Sequence, residues 1–232
     1  MWLWTELVRL VVPVSCPGCG RRDLSLCREC AKWWASPLRR VESRVPRLDD
    51  LSGAEPLPIW ALADYAGSVR GQILAWKDRG REDLTRILAE ALVTGIRAQP
   101  ATFATSIAAV VPMPSSSKSQ RARGRAHLAP LANRVAHAIA GNNQLNTQPK
   151  WLLKKPGHGD QVGQGLRARG ATQITVQSCR ARRLPKGARV LLLDDVVTTG
   201  ATLATARHAL QAAGYQPVGA LVLAVTPAPG TR

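Results

Sequence analysis

Downstream of residue 59 the chain switches repeatedly between two spacings of apolar residues. Residues 59–65 read as a strand and 68–76 as a short helix. Leu84, Ile87, Leu88, Ala91, Leu92 and Ile96 recur at helical spacing, so 82–98 is predicted to be an amphipathic helix burying one face. The β-branched run 107–111 is a strand stopped by Pro112 and Pro114, and a helix is expected from about Arg125 to Ala140. Residues 190–193 are apolar without alternation, as in a strand buried on both faces. A helix follows Gly200 to about Ala213, and 218–225 is a last strand. Strands alternating with helices imply crossover connections and parallel pairing, hence an α/β fold with a mostly parallel central sheet flanked by helices.

The stretch before residue 59 follows neither spacing throughout. Residues 1–36 carry four of the seven Trp and four of the five Cys, and read as an N-terminal helix followed by a small four-cysteine unit. Residues 37–58, rich in Pro, Arg and Asp without a sustained period, read as a linker, and 59–232 as the α/β domain. The apolar segment 2–14 lacks a preceding basic residue and is interrupted by Glu6 and Arg9, which favours a short amphipathic helix in a cytoplasmic protein over a signal sequence. No run of 18 apolar residues occurs, so no membrane span is expected.

Charge adds a partner class. The formal net charge is +17, and residues 115–189 hold fifteen Lys or Arg against one acid, Asp160. Such a field suits a phosphorylated small molecule or a polyanion.

Against this background two acids stand out at the end of the 190–193 run: Asp194 and Asp195 are two of only three acids between Ala91 and Arg232. Ligands of open α/β sheets bind at the carboxyl ends of strands. Paired carboxylates there accept hydrogen bonds from a diol such as that of ribose and help hold Mg²⁺, directly or through water. Thr198, Thr199, Gly200, Ala201 and Thr202 follow, offering hydroxyls and backbone N–H groups at a helix N-terminus, where an anion is favoured. A ribose 5′-phosphate satisfies both halves. No basic residue lies between Val190 and Ala206, so the two acids are expected to repel one another without relief from their own segment.

Cys16-x2-Cys19 and Cys27-x2-Cys30 are separated by residues 20–26, and two such knuckles supply four thiolates to one tetrahedral, structural Zn²⁺. A redox pair would not require a duplicate. Cys179 has no sequence partner and reads as a free thiol.

The segment 190–202 closely resembles the signature of type I phosphoribosyltransferases. That resemblance implies a mostly parallel sheet with a flexible hood, and 5-phosphoribosyl-1-pyrophosphate (PRPP) bound with Mg²⁺ at Asp194, Asp195 and 198–202. Thr198 stands where purine-salvage relatives carry an acid, which disfavours that substrate class. Joined to an N-terminal zinc ribbon, the signature resembles the ComF family of competence-associated proteins. Further agreement lies in Tyr65-x-Gly67 followed by Lys77, in Pro112-Met-Pro114, in Arg123-Gly124 and in Gln161. The resemblance implies that Lys77 reaches pyrophosphate and, with Asp194 and Asp195, serves transfer of phosphoribosyl to an unidentified acceptor. Two departures fall in segments that would close over substrate. Arg123-Gly-Arg-Ala-His127 replaces Arg-Gly-Phe-Asn-Gln, and Arg169-Gly-Ala-Thr172 replaces Arg-x-x-Asn. The alternative function is a single-stranded DNA-binding protein in DNA uptake or recombination, resting on the basic segment and the ribbon; Trp151 is the one aromatic in 115–189 able to stack on a base.

Overall fold

A computed structural model describes residues 14–46, 48, 55–115, 126–141, 146–155, 174–177 and 184–227. Strands β1 (Arg39–Arg40), β2 (Ile59–Asp64), β3 (Ile107–Pro112), β4 (Gln148–Pro149), β7 (Arg189–Val197) and β8 (Gln216–Val225) form one sheet in the order β1-β2-β8-β7-β3-β4. Every pairing is parallel except β1 with β2. The short strands β5 (Leu153–Lys154) and β6 (Thr175–Val176) make a separate antiparallel pair. The helices are α1 (Arg28–Ala31), α2 (Gly67–Asp78), α3 (Leu84–Arg97), α4 (Leu128–Ala140) and α5 (Ala201–Ala212).

The periodicities seen in sequence account for how these pieces pack. Leu84, Leu88, Leu92 and Ile96 form one buried stripe on α3, and Leu128, Leu131, Val135 and Ile139 one on α4. The two helices pack on each other, and α4 also covers β3. Leu191, Leu192 and Leu193 of β7 and residues 220–225 of β8 are buried, as central strands covered on both faces require. Each such side chain contributes about 1.5–3 kcal/mol on burial, which is why continuous apolar runs settle in the sheet centre.

Three departures from the sequence expectation have local causes. Strand β7 runs past its apolar segment to Val197 because Asp194, Val196 and Val197 still pair with Val222, Ala224 and Val225 of β8. Helix α2 reaches Asp78 and so includes Lys77, ending before Gly80, whose φ of 71° leaves the helical region. Within the stretch read as a linker, β1 pairs with β2, while Leu38, Val41, Val45 and Leu48 lie in the main core. Glu42 ties this stretch down by accepting the N–H of Ile59 at 3.2 Å. The N-terminal helix, Cys179, Gln161, Arg123-Gly124 and Arg169–Thr172 lie outside the described residues.

Candidate functional site

The strand order reverses between β3 and β7: β3 leads through α4 to β4 at one edge, and β7 through α5 to β8 on the other side. Such a switch point opens a crevice at the carboxyl ends of the two strands. Pairing of β3 with β7 stops at Pro112 opposite Leu193, followed by one bond from Met113 N–H to the Leu193 carbonyl. Beyond it, β7 continues against β8 and carries Asp194 and Asp195 into the crevice. A cavity of about 220 Å³ opens there, lined among others by Lys77, Ser115, His127, Lys155, both acids and Thr202.

Asp195 is 4% exposed and takes three contacts through its two oxygens. Its Oδ2 receives Lys77 Nζ at 2.5 Å and His127 Nε2 at 2.9 Å, and its Oδ1 accepts the Val196 N–H at 2.8 Å. An ionised carboxylate only accepts, so His127 Nε2 carries the proton in this bond. The imidazole is buried edge-on to Trp76, with ring centroids 5.1 Å apart and 75° between planes. Trp76 is itself anchored by its indole N–H to Thr85 Oγ1 at 2.9 Å. Asp194 is partly buried and accepts the Asp195 N–H at 2.8 Å.

The two acids therefore part company. Burial and the neighbouring Asp195 charge raise the Asp194 carboxyl to about 7, with Lys77 and Lys155 opposing. Burial also pushes Asp195 upward, but the His127 hydrogen bond and Lys77 outweigh it and hold that carboxyl at about 2. The expectation of unrelieved repulsion is corrected for Asp195. Its relief comes from α2 and from the start of α4, remote in sequence and invisible to any local count of charge. Lys77, expected to reach pyrophosphate, lines the same cavity and is paired with Asp195. His127 was visible in sequence only as a departure from the ComF pattern, and Lys155 only as one of many basic residues.

Thr198 and Thr199 are exposed between β7 and α5, and Thr199 Oγ1 accepts the Ala201 N–H at a long 3.5 Å. Gly200 begins α5 with φ 82°, and a Cβ added there would lie 2.4 Å from Val45 Cγ1. Its lack of a side chain thus serves both the left-handed turn and close packing on the segment around Val45. The backbone N–H groups of this turn open α5, where an anion finds donors and favourable partial charge.

Cys16, Cys19, Cys27 and Cys30 converge, their sulfurs all within 4.8 Å of one another, and none is in a disulfide. A tetrahedron of Zn–S bonds places sulfurs about 3.8 Å apart, and Cys19 and Cys27 stand at 3.6 Å. The set fits a structural zinc site. Burial drives the Cys16 thiol upward, but N–H groups of Cys27, Gly18 and Cys19 outweigh it and bring it to about 6. Burial and the neighbouring sulfurs push Cys30 to about 12. Four thiolates gathered this closely would repel one another, and a bound cation would offset that charge.

Comparison with known proteins adds matches over part of the chain. Residues 130–231 match the family described as the phosphoribosyl transferase domain. Among curated proteins, adenine phosphoribosyltransferase of Polynucleobacter asymbioticus is 52% identical over 40 residues, covering 17% of this chain and 23% of that protein. Among solved structures, UMP synthase of Leishmania donovani is similar at 16% identity with a TM-score of 0.36, covering 85% of this chain and 31% of that one. The chain thus spans less than a third of the length of either. The mixed α/β fold with its mostly parallel central sheet is compatible with that match over residues 130–231.

Proposed function

We propose that the protein binds PRPP at the carboxyl ends of β3 and β7 and transfers its 5-phosphoribosyl group to a nitrogen acceptor, with release of pyrophosphate. The observation that carries this is the convergence of Asp194, Asp195, Lys77 and Thr202 on one cavity at the switch point, next to the N-terminus of α5. The ribose diol is held by the Asp194 and Asp195 carboxylates, and the 5′-phosphate by Thr198, Thr199, Thr202 and the N–H groups of 199–202. Mg²⁺, held by the acids directly or through water, would neutralise pyrophosphate oxygens. Lys77 and Lys155 add positive charge on the side from which pyrophosphate departs, so the C1′–O bond breaks toward cations as the acceptor nitrogen bonds to C1′. His127 keeps Asp195 ionised and correctly turned. An adjoining cavity of about 320 Å³ shares Met113, Pro114, Ser115, Leu128 and Lys155 with the first and adds Trp151 and Gln177. We place the acceptor there, a planar nitrogen heterocycle or an amine, against the Trp151 ring.

The test is pyrophosphate release from PRPP and Mg²⁺ across a panel of nitrogen bases and amines. The reading expects release that depends on one acceptor and is lost in Asp195→Ala. PRPP left intact by the whole panel, and unbound in calorimetry, would remove it.

The basic segment 115–189 favours a second reading, in which a nucleic-acid strand engages that segment and PRPP acts as a regulator. Phosphate contacts of that kind give affinity that falls steeply with salt and depends little on sequence. A binding constant for single-stranded DNA unchanged between low and moderate salt excludes it.

A further inference from the structure

The four-cysteine ribbon lies against the helix that carries Lys77, and their contact is closer than side-chain packing allows. A Cβ on Gly18 would lie 2.2 Å from Ser68 Oγ, and one on Gly71 would lie 2.4 Å from the Pro17 carbonyl oxygen. Glycine on both partners brings the ribbon backbone directly onto the first turns of α2.

Two side chains then fasten the contact. Gln72 of α2 is wholly buried, and each end of its amide is used. Its Nε2 donates to the Cys30 carbonyl at 3.2 Å and to Ser68 Oγ at 2.9 Å, while its Oε1 accepts the Trp34 indole N–H at 2.7 Å. Just past the helix, Arg81 donates to the Ser15 carbonyl at 2.9 Å and to the Ser25 carbonyl at 2.7 Å. Asp83 steadies the same guanidinium through Nε and Nη2. The three carbonyls gripped belong to, or sit within two residues of, Cys16, Cys27 and Cys30. Their positions are therefore set by how the sulfurs are gathered. Lys77 falls between the two fastenings, and the helix conveys their placement to it because a helix moves as a rigid rod over so short a span.

We infer that the four-cysteine ribbon positions Lys77 in the PRPP site, with Gln72 and Arg81 as the positioning residues that carry the effect through α2. This rests on Lys77, Asp194 and Asp195 being the PRPP site proposed above. Because its amide is satisfied at both ends, Gln72 fixes the spacing of ribbon and helix more tightly than a non-directional apolar contact would.

A double-mutant cycle on the full chain separates positioning from general support. Titration calorimetry with Mg²⁺ and PRPP would compare wild type, Lys77→Met, Gln72→Leu, Arg81→Gln and the two pairings of the latter with Lys77→Met. Zinc content and thermal melts run alongside. Gln72→Leu and Arg81→Gln should each weaken PRPP by about tenfold with zinc retained, yet change nothing further in the Lys77→Met background. Independent, multiplying losses overturn the inference, as do single variants that bind like wild type while Lys77→Met does not. Absence of PRPP binding by wild type removes the proposed site and the inference together. If Gln72→Leu does not fold, Arg81→Gln, a change near the surface, decides the matter by itself.

Discussion

The ribbon and the carboxyl edge of the sheet both crowd acidic groups into a small space, and the chain treats them differently. At the sheet edge, Asp195 meets Lys77 and His127 from two other elements, and Lys155 acts on Asp194. In the ribbon, Arg81 feels the Cys16 thiolate, but its guanidinium is already engaged with Ser15, Ser25 and Asp83. The ribbon's own apolar cluster consists of Cys16, Cys27 and Cys30 with Leu26 against them, while the sheet has an extended core. A site whose countercharge comes from the protein can stand formed before its ligand arrives. One whose countercharge came from outside would depend on that cation to form.

Removing the metal should break the comparison open most widely. A structural zinc contributes about 10 kcal/mol or more to the folding of so small a unit. Protein prepared without chelator should hold about one equivalent of zinc. Stripping it should expose the amides of 16–34 to hydrogen exchange while β7 and β8 stay protected. A ribbon equally protected without metal would show that packing alone suffices.

Asp195→Asn comes next. PRPP affinity should fall about ten- to a hundredfold, as loss of charge-assisted hydrogen bonds requires. The unrelieved repulsion expected from sequence would have this change leave the free protein at least as stable. With Lys77 and His127 both facing Asp195 and holding its carboxyl at about 2, the structure predicts a loss of about 2 kcal/mol, read in a thermal melt. Because the folded carboxyl is depressed to about 2, this stabilisation is present above the ordinary Asp range and is lost as pH falls toward about 2.

Asp194→Asn should act in the opposite direction. With its carboxyl raised to about 7, ionised Asp194 destabilises the fold increasingly from about pH 4 to about pH 7, and constantly above that. The amide should therefore stabilise the free protein by on the order of 1 kcal/mol at pH 8 and by almost nothing at pH 4. Equal melting shifts at the two pH values would show that the two acids are not separated in this way. The smallest effect belongs to Thr199→Val: PRPP affinity down about two- to tenfold from one lost neutral hydrogen bond, with an unchanged melt.

What was legible in the sequence was what repeats or stays local. The stripe Leu84, Leu88, Leu92, Ile96 and the run 190–193 announce their burial by spacing, and the two Cys pairs announce their convergence by proximity. The acids, the threonines and Gly200 were contiguous and could be read as one loop. His127 and Lys155 could not, because nothing within several residues of either distinguishes a side chain that faces Asp195 or Asp194 across the crevice. The segment around Val45 failed for a related reason. Val41, Val45 and Leu48 are buried, but by strand pairing and irregular turns instead of by one repeating element, so no period reveals them. Gln72 has no sequence signal at all: a polar residue on the buried side of a helix is legible only when its three partners are in place.

Gly200 turns with φ 82° directly against Val45 and Leu48, so the loop proposed to hold the 5′-phosphate, late in the chain, leans on a segment early in it. Cleaving the chain between these regions, within 49–54, would turn that contact into an interface between two fragments. PRPP, by ordering the loop, would then favour their association, and association would in turn tighten PRPP, each by the same factor through thermodynamic linkage. The loop would thus behave as a ligand-dependent fastener between the halves of a split protein.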